Sequence, residues 1–438
     1  PRFSDQLSVP VKLLTGEHYQ GSTFYDTDLC LVPFYTFTQP HLARACLNYR
    51  WHGLRAARAS ARDLGYDGAK FAWQAGPNGE QCQCRWWRFA HPSLHINADV
   101  AYALRQYWRA TGDDAFLAER GIDIFVETAR LYAYCAFFEH PRAQYDLVKV
   151  CGPDEGYCDS TNNFYTNVLA QRGLRWAADA LEYLSRVSPA ASAAAEKRLA
   201  LRAAEPAQWR RIADRLTLLF DPQTRLYEQC AGFFQLKKAP ADLLATHQTG
   251  FVPVASYQAL YQPDVLMALA LLRDEFSPAV RHANWEYYRE KSLNFASPSF
   301  AINALMAAEV GDLDEAYRNF IITTGMDLDE ALTGRRDTYT GLHAAAAGGA
   351  WLAAVCGFGG VRLTESVLRL DPRLPPTWSA LRFNLVYRGA TLRVVIDREE
   401  VTVTAGSEHA GETRVVIAGQ DVVLKPGEAR TVYYARGV

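Results

Sequence analysis

The chain has 438 residues, of which 49% are hydrophobic and 21% charged, an ordinary globular composition with ample length for two domains. Its formal net charge of −2 and the lack of any Lys/Arg run argue against a nucleic-acid or anionic-membrane partner, and no run of ~18 apolar residues marks a membrane span. Nine cysteines, an odd number without framework spacing, read as reduced thiols and point to a cytoplasmic location; Cys82 and Cys84 lack a second ligand pair, so no metal is expected.

Residues 1–25 are polar and extended, and an apolar run over 29–37 ends before Pro40. Helical periodicity begins at His41, where Leu42, Ala45, Cys46 and Tyr49 recur at spacings of three and four, and it continues through 54–64. Gly65 and then Gly76 to Gly79 break the pattern. Further helices are predicted over 98–110, twice within 116–138, and over 168–184, 190–204 and 209–220. The periodicity returns over 264–272, 300–310, 313–320 and 344–355. About a dozen helices with few strands before residue 355 suggest a mainly α fold, an α/α toroid in which helical hairpins close around a central cleft. From Gly359 the spacing changes to alternation, over 381–387, 391–397, 401–405, 415–417 and 430–434, punctuated by Gly389, Gly406 and Gly419. The expected division is therefore a helical barrel with an extended lead-in over 1–358 and a small antiparallel β domain over 359–438.

The segment 150–167, VCGPDEGYCDSTNNFYTN, separates two helical patterns and carries Glu155. Gly152 and Pro153 interrupt any regular element, because proline lacks a donor and fixes φ. Taken alone, Gly-Pro-Asp-Glu is an ordinary turn followed by a helix cap. The 10 Trp and 23 Tyr suit stacking on sugar rings and suit a large core equally well.

Five ordered segments change that reading. GPDEGYCDSTNNFYTN, LTGEHYQGSTFYDTDLCLVPFYTFTQP, HINADVAYALRQYWRATGDDAFL, SPSFAINALMAAEVGD and GLHAAAAGGAWLAAVCGFGGVRL together resemble glycoside hydrolase family 65, over about residues 13–392. The family comprises mostly inverting α-glucoside phosphorylases, with some hydrolases. The resemblance implies an (α/α)6 barrel followed by a small β domain. It also implies that the family's N-terminal β-sandwich is missing here, the chain starting where that domain would end.

Cleavage with inversion needs one carboxylic acid to protonate the departing oxygen and a nucleophile on the opposite face. A hydrolase activates water with a second carboxylate, whereas a phosphorylase uses phosphate. By its place in the motif, Glu155 matches the family's general acid, its pKa raised by burial or by a neighbour such as Asp154. Asp26 matches the aspartate that holds sugar hydroxyls, although Asp26 or Thr27 would also serve as a helix N-cap; Tyr25 stands where relatives have Trp. Asn163, Tyr261 and Gln262 complete the implied sugar contacts, with Tyr261 replacing the family lysine. The implied phosphate site takes in His343, Gly348, Gly349 and Arg335, with Arg336 beside it, while the family serine is replaced by Ala346. A satisfied core histidine and a solvated arginine loop are the plain alternatives. For a hydrolase, Asp337 would be the base, although it matches that position poorly.

The expected activity is thus an inverting α-glycoside phosphorylase, using inorganic phosphate as co-substrate and no cofactor, and releasing a β-sugar 1-phosphate. The alternatives are an inverting hydrolase on the same barrel and a carbohydrate-binding relative that has lost catalysis. The expected partners are a small carbohydrate and phosphate, with the chain a monomer or a homodimer.

Overall fold

The structure is a computed structural model that describes residues 4–83, 91–241, 243, 254–294, 296–333, 340–365 and 367–434. Among these residues, six helices line a closed ring: α1 (Val32–Thr38), α2 (His95–Thr111), α3 (Phe164–Val187), α4 (Asp264–Leu271), α5 (Ser299–Val310) and α6 (Ala344–Trp351). Each packs on the next, and α6 closes the ring against the wide helical turn Thr27–Leu31 that leads into α1. Outer helices cover them: Pro40–His52 lies on α1, Ile122–Cys135 and Glu205–Arg215 on α3, Pro278–Tyr288 on α5, and Leu313–Gly325 on α5 and α6. This alternation of inner and outer helices is the α/α toroid expected from the helical spacing, with the six inner helices that the family resemblance implies.

Local chemistry accounts for the inner helices. The α2 stripe of Ile96, Val100, Ala103 and Leu104 is fully buried, and Gly112 in the left-handed region (φ 69°) ends the helix. Asn163 caps α3, its Oδ1 accepting the amide of Thr166 at 2.9 Å. The 98–110, 168–184 and 264–272 predictions fall inside α2, α3 and, to within one residue, α4. The two helices read in 116–138 become one, Ile122–Cys135, preceded by short helical turns and followed by the strand Phe137–Glu139. Sequence periodicity missed Pro278–Tyr288, although Ser277 accepting the amide of Val280 and proline at the first position form a helix start of known type.

After α6 the described residues form eight strands in two four-stranded sheets: β1 (Val361–Leu363), β2 (Leu368–Leu370), β3 (Ala380–Tyr387), β4 (Ala390–Asp397), β5 (Glu400–Ala405), β6 (Thr413–Ile417), β7 (Gln420–Leu424) and β8 (Ala429–Tyr433). One sheet runs β8-β5-β4-β3, the other β7-β6-β2-β1. Pairing is antiparallel except for Leu368–Leu370 beside Val415–Ile417, which run parallel. Leu385, Leu392, Val394, Ile396, Val401, Val403, Val415 and Ile417 are fully buried together, the alternating residues of both sheets meeting in one core. Strands β1 and β2, three residues each, are too short to show alternation, and β7 was also not foreseen.

Candidate functional site

The N-terminal ends of the inner helices gather the polar residues singled out in the sequence. Glu155 opens a single helical turn, Glu155–Tyr157, whose cap is Asp154: its Oδ1 accepts the amide of Gly156 at 3.0 Å and that of Tyr261 at 3.2 Å. The turn is braced from both sides. Asp264, the first residue of α4, accepts the amide of Asp154 on Oδ1 at 2.8 Å and the Asn163 side-chain amide on Oδ2 at 2.9 Å. The Tyr157 hydroxyl meets the carbonyls of Val254, Tyr257 and Ala259. A Cβ added to Gly152 would lie 2.2 Å from Asp264 Oδ2, so only glycine lets the loop approach α4 this closely.

Glu155 keeps part of its surface open, yet its carboxyl sits deep enough for burial to push its pKa up to about 8, with the charge of Asp26 adding to the shift. The neighbour expected to raise it was Asp154. That carboxylate is instead turned into the protein to cap the turn, and its own pKa is raised by burial and by Asp264. Glu155 is therefore mostly protonated at neutral pH. Asp26 is also buried, and burial followed by the charges of Asp99 and Asp28 raises its pKa to about 7.

Asp26 has helical φ and ψ and makes no cap hydrogen bond, so the plain N-cap reading does not apply to it. Tyr25 is buried beside it; its hydroxyl donates to Gln262 Oε1 at 3.1 Å, while Gln262 Nε2 donates to the carbonyl of Pro153 at 2.9 Å. Tyr25, Gln262 and the Glu155 loop are thus tied directly. The Tyr25 ring lies edge-on to His95 at 5.0 Å, and His95 Nδ1 and the Tyr165 hydroxyl both bond Asp99, at 2.8 and 2.6 Å. Sequence reasoning missed His95, Asp99 and Tyr165; His95 and Asp99 share one face of α2 at a spacing of four, the signal that was available. Asp28 forms a buried two-point pair with Arg50, at 3.2 and 2.5 Å; burial raises the Asp28 pKa, and the charge and hydrogen bonds of Arg50 oppose that rise.

One expected ligand contact takes another part. Asn163 is fully buried, and its amide is engaged by Thr166 and Asp264, so it supports the loop rather than reaching a sugar. Tyr261 is buried and bonds Asp154 through its backbone amide.

At the start of α6, the sequence-predicted anion site is partly assembled. Asp327 holds His343, accepting from ring Nδ1 at 2.7 Å and from the backbone amide at 2.7 Å. Burial raises the Asp327 pKa, but the His343 bonds outweigh it and leave it low. Lys12, buried at 2% exposure, places Nζ 3.3 Å from His343 Nδ1 and donates to Thr340 Oγ1 at 2.7 Å. Lys12 and Asp327 were both absent from the sequence reading. The first turn of α6, Ala344 to Ala346, presents the amides that lack partners within the helix, of which Ala344 donates to the Val11 carbonyl. Gly348 and Gly349 lie beyond that turn. A Cβ on Gly348 would stand 2.7 Å from the Cys30 carbonyl oxygen and one on Gly349 2.6 Å from Ala301 Cβ, so these glycines let α6 pack closely on its neighbours rather than offer amides to an anion. Arg335, Arg336 and Asp337 lie outside the described residues, as does Cys84. No cluster of three metal-ligating side chains occurs among the described residues, and no described helix is long and apolar enough to cross a membrane.

The profile of the "Glycosyl hydrolase family 65 central catalytic domain" matches residues 2–352, and that of the family's C-terminal domain matches 361–424. The chain belongs to glycosyl hydrolase family 65. Within that family it is 35% identical to a kojibiose phosphorylase of Halothermothrix orenii over 98% of this chain and 57% of that protein. It is 36% identical to an α,α-trehalose phosphorylase of Geobacillus stearothermophilus over 90% of this chain and 51% of that protein. The chain thus spans little more than half the length of these family 65 relatives. A solved kojibiose phosphorylase-like chain from the human microbiome superimposes with a TM-score of 0.89 at 24% identity, covering all of this chain and 63% of the other, which shows the shared fold.

Proposed function

We propose that this protein is an inverting α-glycoside phosphorylase, with Glu155 as its general acid. The observation that carries the proposal is Glu155 itself: a carboxyl raised to about 8, on a turn braced by Asp264 and Tyr157, and close enough to Asp26 to feel its charge. A general acid works best with a pKa near the operating pH, and few glutamates reach that range without such burial.

In this reading Asp26 holds hydroxyls of the glycosyl unit, while Tyr25 and Gln262 hold the Glu155 loop beside it. A phosphate oxygen attacks the anomeric carbon from the face opposite the departing sugar. As the new C–O bond forms, the glycosidic C–O bond breaks and the leaving oxygen takes the proton of Glu155. The products are a β-sugar 1-phosphate and the free acceptor. Phosphate would sit against His343 and the first turn of α6, where the helix dipole favours an anion, with the buried Lys12 adding positive charge behind it. The substitution of Ala346 for a hydroxyl residue makes that cation the natural compensation. Catalysis would belong to the helical region through residue 358, with the β sheets from 359 onward as a separate domain. The relatives named for kojibiose and trehalose support an α-linked glucosyl disaccharide as the substrate class. The eight described cysteines are all unpaired, which supports a reducing, cytoplasmic setting.

Phosphate dependence tests the proposal. Release of a sugar 1-phosphate only when phosphate is present supports it; phosphate-independent release of reducing sugar would make the enzyme a hydrolase, and sugar binding without turnover a binding relative.

A further inference from the structure

Toward their C-terminal ends the inner helices enclose a cavity. The α4 helix has 8 residues, about 12 Å of rise, and while Asp264 at its start braces the Glu155 loop, Leu271 at its end lines a cavity of about 370 Å³. The α2 helix behaves likewise: His95 at one end touches Tyr25, and Tyr102, Arg105 and Arg109 line the cavity toward the other. Trp176 of α3 and the β1 region close the remaining wall.

The charges there do not balance. Arg273 pairs with Glu309 and donates to the carbonyls of Cys356 and Val361; Arg362 pairs with Asp274 and Asp371; Glu275 pairs with Arg172. Arg105 and Arg109 share a single carboxylate, Glu365, at 2.8 and 3.2 Å, and that side chain is 78% exposed. Arg105 is only 8% exposed. Among the described residues no acceptor reaches Arg105 Nε or Arg109 Nη2, although both atoms are buried. Burial also lowers the Arg109 pKa to about 10, a sign that its charge is under-compensated. A buried and a half-buried guanidinium facing one solvent-held carboxylate favour a second anion, since an unsatisfied buried donor on a charged group is costly.

We propose that this cavity binds a compact organic anion of sugar size, whose phosphate or carboxylate group bridges Arg105 and Arg109 while its body packs on Tyr102, Trp176 and Leu271. Two guanidiniums set side by side recognise such groups by paired hydrogen bonds, and the aromatic and leucine walls suit the face of a small ring. The cavity lies toward the opposite ends of α2 and α4 from the Glu155 loop, and binding there does not depend on the reaction assigned to that loop.

Isothermal titration of the full chain with glucose 6-phosphate, gluconate and glucose tests the proposal. Glucose is the neutral control, and the two anions distinguish a phosphate from a carboxylate ligand. At least one anion is expected to bind where glucose does not. Arg105→Met/Arg109→Met should weaken that binding about tenfold or more, the loss of a charge-assisted bidentate contact. Glu365→Gln removes the competing carboxylate from an exposed position and should tighten it several-fold, roughly the effect of deleting one like charge. This second variant carries the test if the double arginine variant fails to fold. Absence of binding by both anions, equal binding in the arginine variant, or a Glu365→Gln variant that only melts earlier without binding more tightly would overturn the site and leave Glu365 as a structural clamp.

Discussion

Asp264 accepts the backbone amide of Asp154 at 2.8 Å, so the first residue of one inner helix fixes the turn immediately before Glu155. The same carboxylate accepts from Asn163, the cap of the neighbouring inner helix, and the loop is thereby suspended between two helix starts. Position of the acid is a property of the barrel rather than of the loop.

Removing that brace is predicted to cost activity and stability together. Asp264→Ala leaves the Asp154 amide and the Asn163 side chain without their acceptor, about 1–3 kcal/mol for each buried donor. Thermal denaturation should show the loss, and kcat should fall although no substrate contact was removed. Unchanged kcat in a folded Asp264→Ala variant would mean the turn is held by other bonds.

The raised pKa of Glu155 predicts two pH effects. Activity should fall as pH rises through about 8, where the proton needed by the leaving group is lost. Stability follows the same direction: the folded-state pKa lies above the ordinary value of 4.5, so the native state holds the extra proton, and stability present at low pH is lost as pH rises from about 4.5 through about 8. Glu155→Gln should remove this contribution, so that at pH 9 the variant melts higher relative to wild type than it does at pH 5. Parallel melting curves across that range would contradict the assignment.

The buried Arg50–Asp28 pair should be strongly asymmetric in its response to mutation. Removing either partner leaves a charge at 2% exposure, predicted to destabilise by roughly 3–5 kcal/mol. The double change Arg50→Met/Asp28→Leu should cost well below the sum of the singles. A denaturant double-mutant cycle measures the difference, and additive losses would show the pair to be uncoupled.

His343 is held by Asp327, and the proposed phosphate site depends on that hold. Asp327→Asn is predicted to raise the KM for phosphate roughly tenfold, the cost of weakening one charged hydrogen bond, while kcat at saturating phosphate changes less. A larger effect on the sugar KM than on the phosphate KM would place His343 elsewhere in the mechanism.

What was legible in the sequence was local or periodic. Five helices of the ring follow from spacing of apolar residues, while α1 showed only as an apolar run too short to reveal a period; the Glu155 turn follows from Gly152 and Pro153, and the passage to strands from alternation after Gly359. What was not legible depends on partners far away in the chain. Asp264 meets Asp154 across 110 positions, and Lys12 meets His343 across 331. Gly348 resembled a phosphate-loop residue because its packing partner, Cys30, is brought against it only by ring closure. Asn163 carried its own signal, a capping residue just before an apolar pattern, but resemblance led to a sugar contact instead.

The most direct measurement is a turnover assay with kojibiose, trehalose and 1,2-α-glucosylglycerol, with and without inorganic phosphate, the products followed by ³¹P and ¹H NMR in wild type and Glu155→Gln. At least one of these glycosides is expected to be cleaved only when phosphate is present, giving the β-anomer of the sugar 1-phosphate, and Glu155→Gln is expected to lose about 10²–10⁴-fold in rate, the usual worth of a general acid. An α-anomer, cleavage without phosphate, or normal turnover by Glu155→Gln would contradict the proposed mechanism.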